Sequence, residues 1–420
     1  MSQSQPRPPG GSPESASRRH VRTVMVAGVL IALLGFGTRS VFGLFLEPMT
    51  AAQGWSRETF ALALAIQNLL WGLGLPLAGI LADRHGAARV IAVGALLYAA
   101  GTAGMALATV PWMLHLFAGV ITGLGVAFTA FSLALAAMAR VVGPEKRSIA
   151  LGLGTAAGSL GQVVFSPLGQ GFIVAFGWQT ALLLLAAITL TLVPLAFALP
   201  RARTTGPGLD TGLEQTLAQA LGEARRHRGY VLLTTGFFVC GFHVAFITVH
   251  FPAYVKDLGM SGSVGAMALA LIGLFNIVGA FASGLFGQRY SMKGGLAAIY
   301  GLRSVIILAL LLAPKTPLVI GLFAAAMGLL WLSTVPLTTG IVGQVFGLRY
   351  MNTLFGIVFL SHQLGSFSGV WLGGYLYDTF GTYDPVWWAG VALGLMAMVL
   401  HLPIDERPLA RPAPVPVSAK

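Results

Sequence analysis

The stretch GILADRHGAARV, residues 79–90, interrupts long apolar sequence with an acid, a histidine and two arginines. Apolar runs flank it at about 58–81 and 88–108. Each is as long as the ~20 residues that a helix needs to cross ~30 Å of hydrocarbon. So short a charged segment between two such runs reads as a tight loop joining two membrane-crossing helices. Gly79 and Gly86 are expected to permit tight backbone turns. Asp83 is placed to accept hydrogen bonds from a neighbouring helix N-terminus or from an arginine, latching one face of a bundle in one state. Gly79, Asp83, Arg84, Gly86 and Arg89 are the candidate latch.

Outward from this loop the pattern continues. Apolar runs are expected to span at 23–46, 58–81, 88–108, 112–140, 149–175, 179–199, 230–254, 264–287, 294–313, 317–341, 350–377 and 385–403. These twelve are too long and continuous for barrel strands, so the class is an all-α membrane protein. Composition agrees: 56% of the 420 residues are hydrophobic and 9% charged, against about 25% charged in soluble domains. The single cysteine, Cys240, excludes a disulfide framework and a cysteine metal site. No metal, cofactor or Walker A pattern is expected, and hence no ATP hydrolysis within this chain.

The net charge of +12 would suggest a nucleic-acid partner in a soluble protein. Its distribution points elsewhere. Twenty of the 25 Lys and Arg fall in segments on the N-terminal side of the bundle, against Arg57, Lys256 and Lys315 on the other; Arg39 and Arg303 lie within spans. By the positive-inside rule both termini are cytoplasmic, and the partner is a lipid bilayer, not nucleic acid. The excess of Arg over Lys, with abundant Ala and Gly, suggests a bacterial inner membrane. Residues 1–22 and 405–420 read as disordered tails. A linker at 200–229, carrying the amphipathic LEQTLAQALGEARRHR, divides six-helix halves at 23–199 and 230–404.

The halves repeat. Pro48 matches Pro252, and Gly152, Gly161, Gly169 and Gly177 match Gly356, Gly365, Gly373 and Gly381, all 204 residues apart. GSLGQ (158–162) aligns with HQLGS (362–366). Two similar six-helix halves, with the 79–90 loop in place, resemble the major facilitator superfamily. In the second half GLFGQRYSMK (284–293) has Gln288 where the first has Asp83, which implies a weaker latch. Span 1 with its arginine, GWSRETFALALAIQNLLWG, GFHVAFITVHFPAY and SHQLGSFSGVWLGGYLYDTFGTYD together resemble bacterial relatives of the monocarboxylate transporters. That resemblance covers about 21–404. It implies a monomer that carries small organic acids, often with protons. Span 8 has neither the Asp nor the Arg of the well-known monocarboxylate carriers; Asn276 is its one strongly polar side chain.

An ionisable group inside a membrane is a functional hypothesis by default, costing at least ~2.5 kcal/mol at a helix centre. Arg39 is such a group, and every acidic residue of the sequence falls in a loop or at a span end. Two readings follow: Arg39 bonds helix carbonyls and snorkels outward, or it faces a central cavity and meets a substrate anion, to which a planar fork is suited. Arg303 is expected to pack or snorkel. His243 aligns with Arg39 in the repeat and His250 follows seven residues later, so the two are candidate proton carriers on one helix face. Gln67, Asn68, Gln162, Asn276, His362 and Gln363 complete the candidate substrate-binding set, with Trp331, Phe355, Phe359 and Trp371 as further aromatic candidates.

The expectation is a secondary transporter, not an enzyme, moving a small organic anion by alternating access. The alternative is a carrier for a larger amphiphile, such as a vitamin like riboflavin, a siderophore or a drug, in either direction.

Overall fold

A computed structural model describes residues 13–142, 147–200, 215–347 and 349–409. Among them the expected spans are helical, and no strand occurs. Among the described residues eleven helices are long and apolar enough to cross a membrane; one of them, Gly152–Phe197, carries spans 5 and 6 together. The helix there runs from Arg147 to Leu190 and turns at Gly177, whose φ of 78° L side chains rarely adopt. Gly381, 204 residues on, closes span 11 with φ 71°. Equivalent positions of the repeat therefore share a positive φ, which glycine adopts freely, though their ψ values of 163° and 7° differ.

Span 1 is discontinuous. Its first helix, Pro13–Ser40, gives way to a 3-10 turn at Phe42–Phe45 and a short helix Leu46–Gln53. The start at Pro13 puts residues 13–22 in helix, where a disordered tail was expected; residues 1–12 lie outside the described chain. Proline is well suited to a first helical position, since its missing N–H has no helical partner to lose. Span 2 is Arg57–His85, started by Ser56, whose hydroxyl accepts from the Thr59 amide. It continues four residues past its expected end, so Gly79 is helical and makes no turn. Nothing in 79–85 breaks a helix; the turn is made by Gly86 alone, at φ 89°. Span 3 is Ala87–Ala106.

Span 4, Pro111–Val141, contains a π-helical turn at His115–Ile121, whose Ala118 carbonyl accepts from Gln67 of span 2 at 2.9 Å. Spans 7, 8 and 9 are Arg228–Asp257, Gly262–Arg289 and Met292–Leu312. Span 10 is broken between Pro317–Leu330 and Thr334–Phe346. Spans 11 and 12 are Met351–Phe380 and Asp384–His401. The amphipathic linker forms a helix, Leu217–Arg226, with a reciprocal capping box between Thr216 and Gln219; residues 201–214 lie outside the described chain. At the C-terminal end, Glu406 accepts from the Lys293 amide at 2.5 Å and the Leu409 amide donates to Val345 at 3.0 Å. Residues 406 and 409 are therefore tied to the bundle rather than loose; 410–420 lie outside the described chain.

The distribution of buried apolar side chains sets the shape. On the face opposite the termini one core joins both halves: Phe42 and Phe45 of span 1 share it with Phe246 and Phe251 of span 7. On the termini face each half keeps its own core, one around Val24, Ile91 and Ala134, the other around Phe237, Tyr300 and Val342. Burial is thus continuous across the halves on one face and split on the other.

Candidate functional site

Arg39 occupies the last turn of the first helix of span 1, where the helix dipole favours a cation. One guanidinium nitrogen donates to Asn68 Oδ1 at 2.5 Å. The Asn68 amide donates in turn to the Leu64 carbonyl at 2.8 Å, which aims its oxygen at Arg39. Arg39 Cζ also lies 4.3 Å from the Trp71 ring centroid, a cation–π contact. Trp71 meets Phe359 of span 11 edge to face at 5.4 Å. Phe359 stacks on His362 at 5.6 Å, and the His362 ring lies 3.1 Å from Gln363 Oε1. Beside Trp71, Gly72 leaves room for Gln363, whose Cβ lies 2.8 Å from where a Gly72 Cβ would stand. A chain of contacts thus runs from Arg39 of one half to Gln363 of the other.

Three donors on this chain lack a hydrogen-bond partner among the described residues: Arg39 Nε, Trp71 Nε1 and Gln363 Nε2. Buried donors are nearly always paired, so these three are the groups best able to take an incoming acceptor. Among the described residues Arg39 has no carboxylate partner; the ion pairs are Arg57–Asp257, Lys256–Glu47 and Arg407–Asp405. Two spaces of about 20 and 10 Å³ flank Arg39, one lined by Phe36, Trp71 and Thr129, the other by Gln67, Asn68 and Thr248.

The remaining candidates lie elsewhere. Gln162 donates to the Leu269 carbonyl at 2.9 Å, and Asn276 bonds Ser159 at 2.9 Å and the Leu332 amide at 3.0 Å. Both belong to the seam between spans 5 and 8. His243 is held by the Gly390 carbonyl at 2.8 Å, and His250 by the Val370 carbonyl at 2.8 Å and the Tyr383 hydroxyl at 3.1 Å. They face spans 11 and 12, not each other. Arg303 does not snorkel: it is fully buried and donates to the Leu330 and Trp331 carbonyls, exposed by the break in span 10. Asp83, Arg84 and Arg89 are exposed on the termini face.

The opposite face is closed by polar bonds between the halves. Arg57 grips Asp257 at 2.6 and 2.7 Å and donates to the Tyr383 hydroxyl at 3.0 Å. Its guanidinium lies 3.7 Å from the Tyr377 ring centroid. Asp378 accepts from the Arg57 and Glu58 amides, capping span 2 from span 11. Glu58 accepts from Trp371 at 3.0 Å, and Lys256 reaches Glu47 at 2.5 Å. Trp71 and this gate were missed in the sequence. Trp71 stands three residues after Asn68, one turn along the same helix face; that spacing was the available signal.

The sequence profile described as Major Facilitator Superfamily matches residues 28–370. The chain belongs to the major facilitator superfamily. Similar proteins include monocarboxylate transporter 13 of Bos taurus, 27% identical over 86% of this chain and 83% of its own length. Monocarboxylate transporter 11 of Mus musculus is 30% identical over 77% of this chain and 73% of its own. An uncharacterized MFS-type transporter, YcxA of Bacillus subtilis, is 25% identical over 89% of this chain and 92% of its own. Among solved structures, the nucleoside transporter NupG superposes with a TM-score of 0.73 at 14% identity, covering 91% of this chain and 99% of that one. The inward-open xylose transporter XylE from E. coli gives 0.71 at 13%, covering 91% and 96%. The likeness to these structures fixes the fold. This major facilitator protein is a multi-pass membrane transporter, not an enzyme, and its cargo class is small molecules.

Proposed function

We propose that this transporter carries a small organic anion of the monocarboxylate type across the bacterial inner membrane, with both termini cytoplasmic. The observation that carries the reading is Arg39: a guanidinium between the halves, with no carboxylate partner among the described residues and its Nε unpartnered. A carboxylate supplies the missing counter-charge, bonded by Arg39 and oriented by Asn68, Trp71 and Gln363. The named monocarboxylate relatives support the same class. The spaces beside Arg39 are of water size. A small acid therefore demands less enlargement of the site than a vitamin or a siderophore, which ranks the amphiphile second.

Alternating access follows from the split core. The halves meet on the outer face and part on the inner, so cargo at Arg39 reaches the cytoplasm; breaking the Arg57–Asp257 gate and closing the inner face reverses access. The Asp83 latch acts in that reversed state. Proton coupling is assigned to His250, because it alone of the two span 7 histidines touches the gate, through Tyr383. The test is uptake of radiolabelled lactate and related acids into proteoliposomes. Arg39→Gln is expected to lower kcat/KM at least ~100-fold, the loss of a charge-assisted pair worth about 3 kcal/mol. A variant that stays folded and transports at the wild-type rate would remove the anchor role.

A further inference from the structure

On the termini face a cavity of about 730 Å³ lies between spans 5 and 8, within the ~300–1,000 Å³ typical of ligand sites. Its walls are mostly apolar, with Leu153 and Ala156 from span 5, Ile277, Phe281 and Leu285 from span 8 and Pro336 of span 10, beside the polar Thr155 and Gln288. Ser159, which accepts from Asn276 at 2.9 Å, also lines it.

The walls of the cavity run into the exposed apolar faces of spans 5 and 8. Exposed apolar residues of span 8 recur at Met267, Leu274, Val278, Phe281 and Leu285, a single stripe at helical spacing, with Phe281 71% exposed. Leu153, Leu160 and Val164 make the corresponding stripe on span 5. Leu153, Phe281 and Leu285 of these stripes line the cavity. At its inner end span 8 stops at Arg289, leaving Gln288, Arg289 and Tyr290 exposed where the helix leaves hydrocarbon. Tyr290 stacks on Phe286 at 4.9 Å. An exposed arginine beside an aromatic at a helix end suits a negatively charged headgroup.

We infer that this cavity is a binding site for an anionic phospholipid, one acyl chain lying between spans 5 and 8 and the headgroup on Arg289. The apolar walls select a chain, and the cation at the rim selects the charge. The site joins the two halves on the face where their cores are separate. Closing that face requires Leu153 and Ala156 to approach Phe281 and Leu285. A chain held between them opposes closure and favours the conformation seen here.

The glycines of the cavity provide the test. A Cβ added at Gly152 or Gly284 meets no atom within 4 Å, so both positions border open space, and leucine is chosen at each to occupy it. Purified protein is reconstituted with phosphatidylglycerol or phosphatidylcholine of identical chains, partly delipidated, and examined by native mass spectrometry. Wild type is expected to retain phosphatidylglycerol preferentially. Arg289→Gln should lower that preference about fivefold, the equivalent of one surface cation, and leave phosphatidylcholine unchanged. Gly284→Leu and Gly152→Leu should each lose both lipids, with thermal unfolding in lipid-free detergent unchanged; if one fails to fold, the other serves. Filled variants that hold phosphatidylglycerol as wild type does overturn the site, and equal retention of the two lipids by wild type overturns the headgroup assignment. A filled variant that keeps its lipid but loses transport marks the cavity as a cargo portal and also overturns the proposal.

Discussion

Replacing Asp257 by asparagine should open the face that Arg57 closes. The pair is bidentate, at 2.6 and 2.7 Å, with the arginine side chain 12% exposed and the aspartate 29%. Hydrogen bonds to charged groups contribute about 1.5–3 kcal/mol. Solvent at the aspartate screens part of this, the asparagine oxygen keeps one bond, and Arg57 retains Tyr383 and the face of Tyr377. The net loss is about 1–2 kcal/mol, which moves the balance between closed and open gates about 5- to 30-fold. The assay is double electron–electron resonance between spin labels on Ala52→Cys and Thr379→Cys, exposed positions on opposite halves of this face. The long-distance population should grow by that factor and shrink when Asp257 is restored. Lys256→Gln is the control: its pair with Glu47 is 43% and 34% exposed, contributes about 0.2–1 kcal/mol, and should shift the distribution less than Asp257→Asn does. An unchanged distribution in Asp257→Asn, or an equal shift in Lys256→Gln, refutes the reasoning.

His250→Gln and Tyr383→Phe should each abolish any acid stimulation of transport. The neutral His250 ring donates to Val370 and accepts from Tyr383; a second ring proton would remove that acceptor, and pH–rate profiles of the variants should be flat where wild type rises. Arg303→Ala should leave the Leu330 and Trp331 carbonyls without a donor and lower stability by about 2–5 kcal/mol, read as the thermal unfolding midpoint in detergent. Gly43→Ala should hold the gate open, because its Cβ would meet the Thr248 and Val249 carbonyls of span 7; the same resonance experiment measures it, and a closed distribution in this variant counts against the packing role.

The histidines show how far helical spacing reaches. Seven residues apart, His243 and His250 do lie on one stripe of span 7, yet that stripe faces spans 11 and 12, and each ring bonds a backbone carbonyl there. Gln162 and Asn276 likewise carry the polarity expected of a binding site but use it to join spans 5 and 8. Their spans were readable; the direction each face points was not, because in a bundle of apolar helices every face is apolar enough to be buried. Arg303 is the sharper case. Its cost in a membrane is met by carbonyls freed at the break in span 10; Gly328 and Pro336 bracket that break in the sequence, but nothing there says that an arginine of span 9 meets it.

The sequence by itself determined the spans, their number, the pseudo-repeat and the tight loop at Gly86, because each rests on local quantities: the length of an apolar run against the thickness of hydrocarbon, and a backbone angle that glycine adopts freely. It also singled out Arg39, since a lone cation in apolar sequence is costly wherever the helix points. Only the tertiary structure decided which groups surround that cation, that Trp71 and Gln363 join it, and that Arg57 and Asp257 close one face while the cores part on the other. Those pairings link residues as much as 326 positions apart. They follow from how two six-helix halves meet, a geometry set by the summed packing of both and written in no single stretch of the chain.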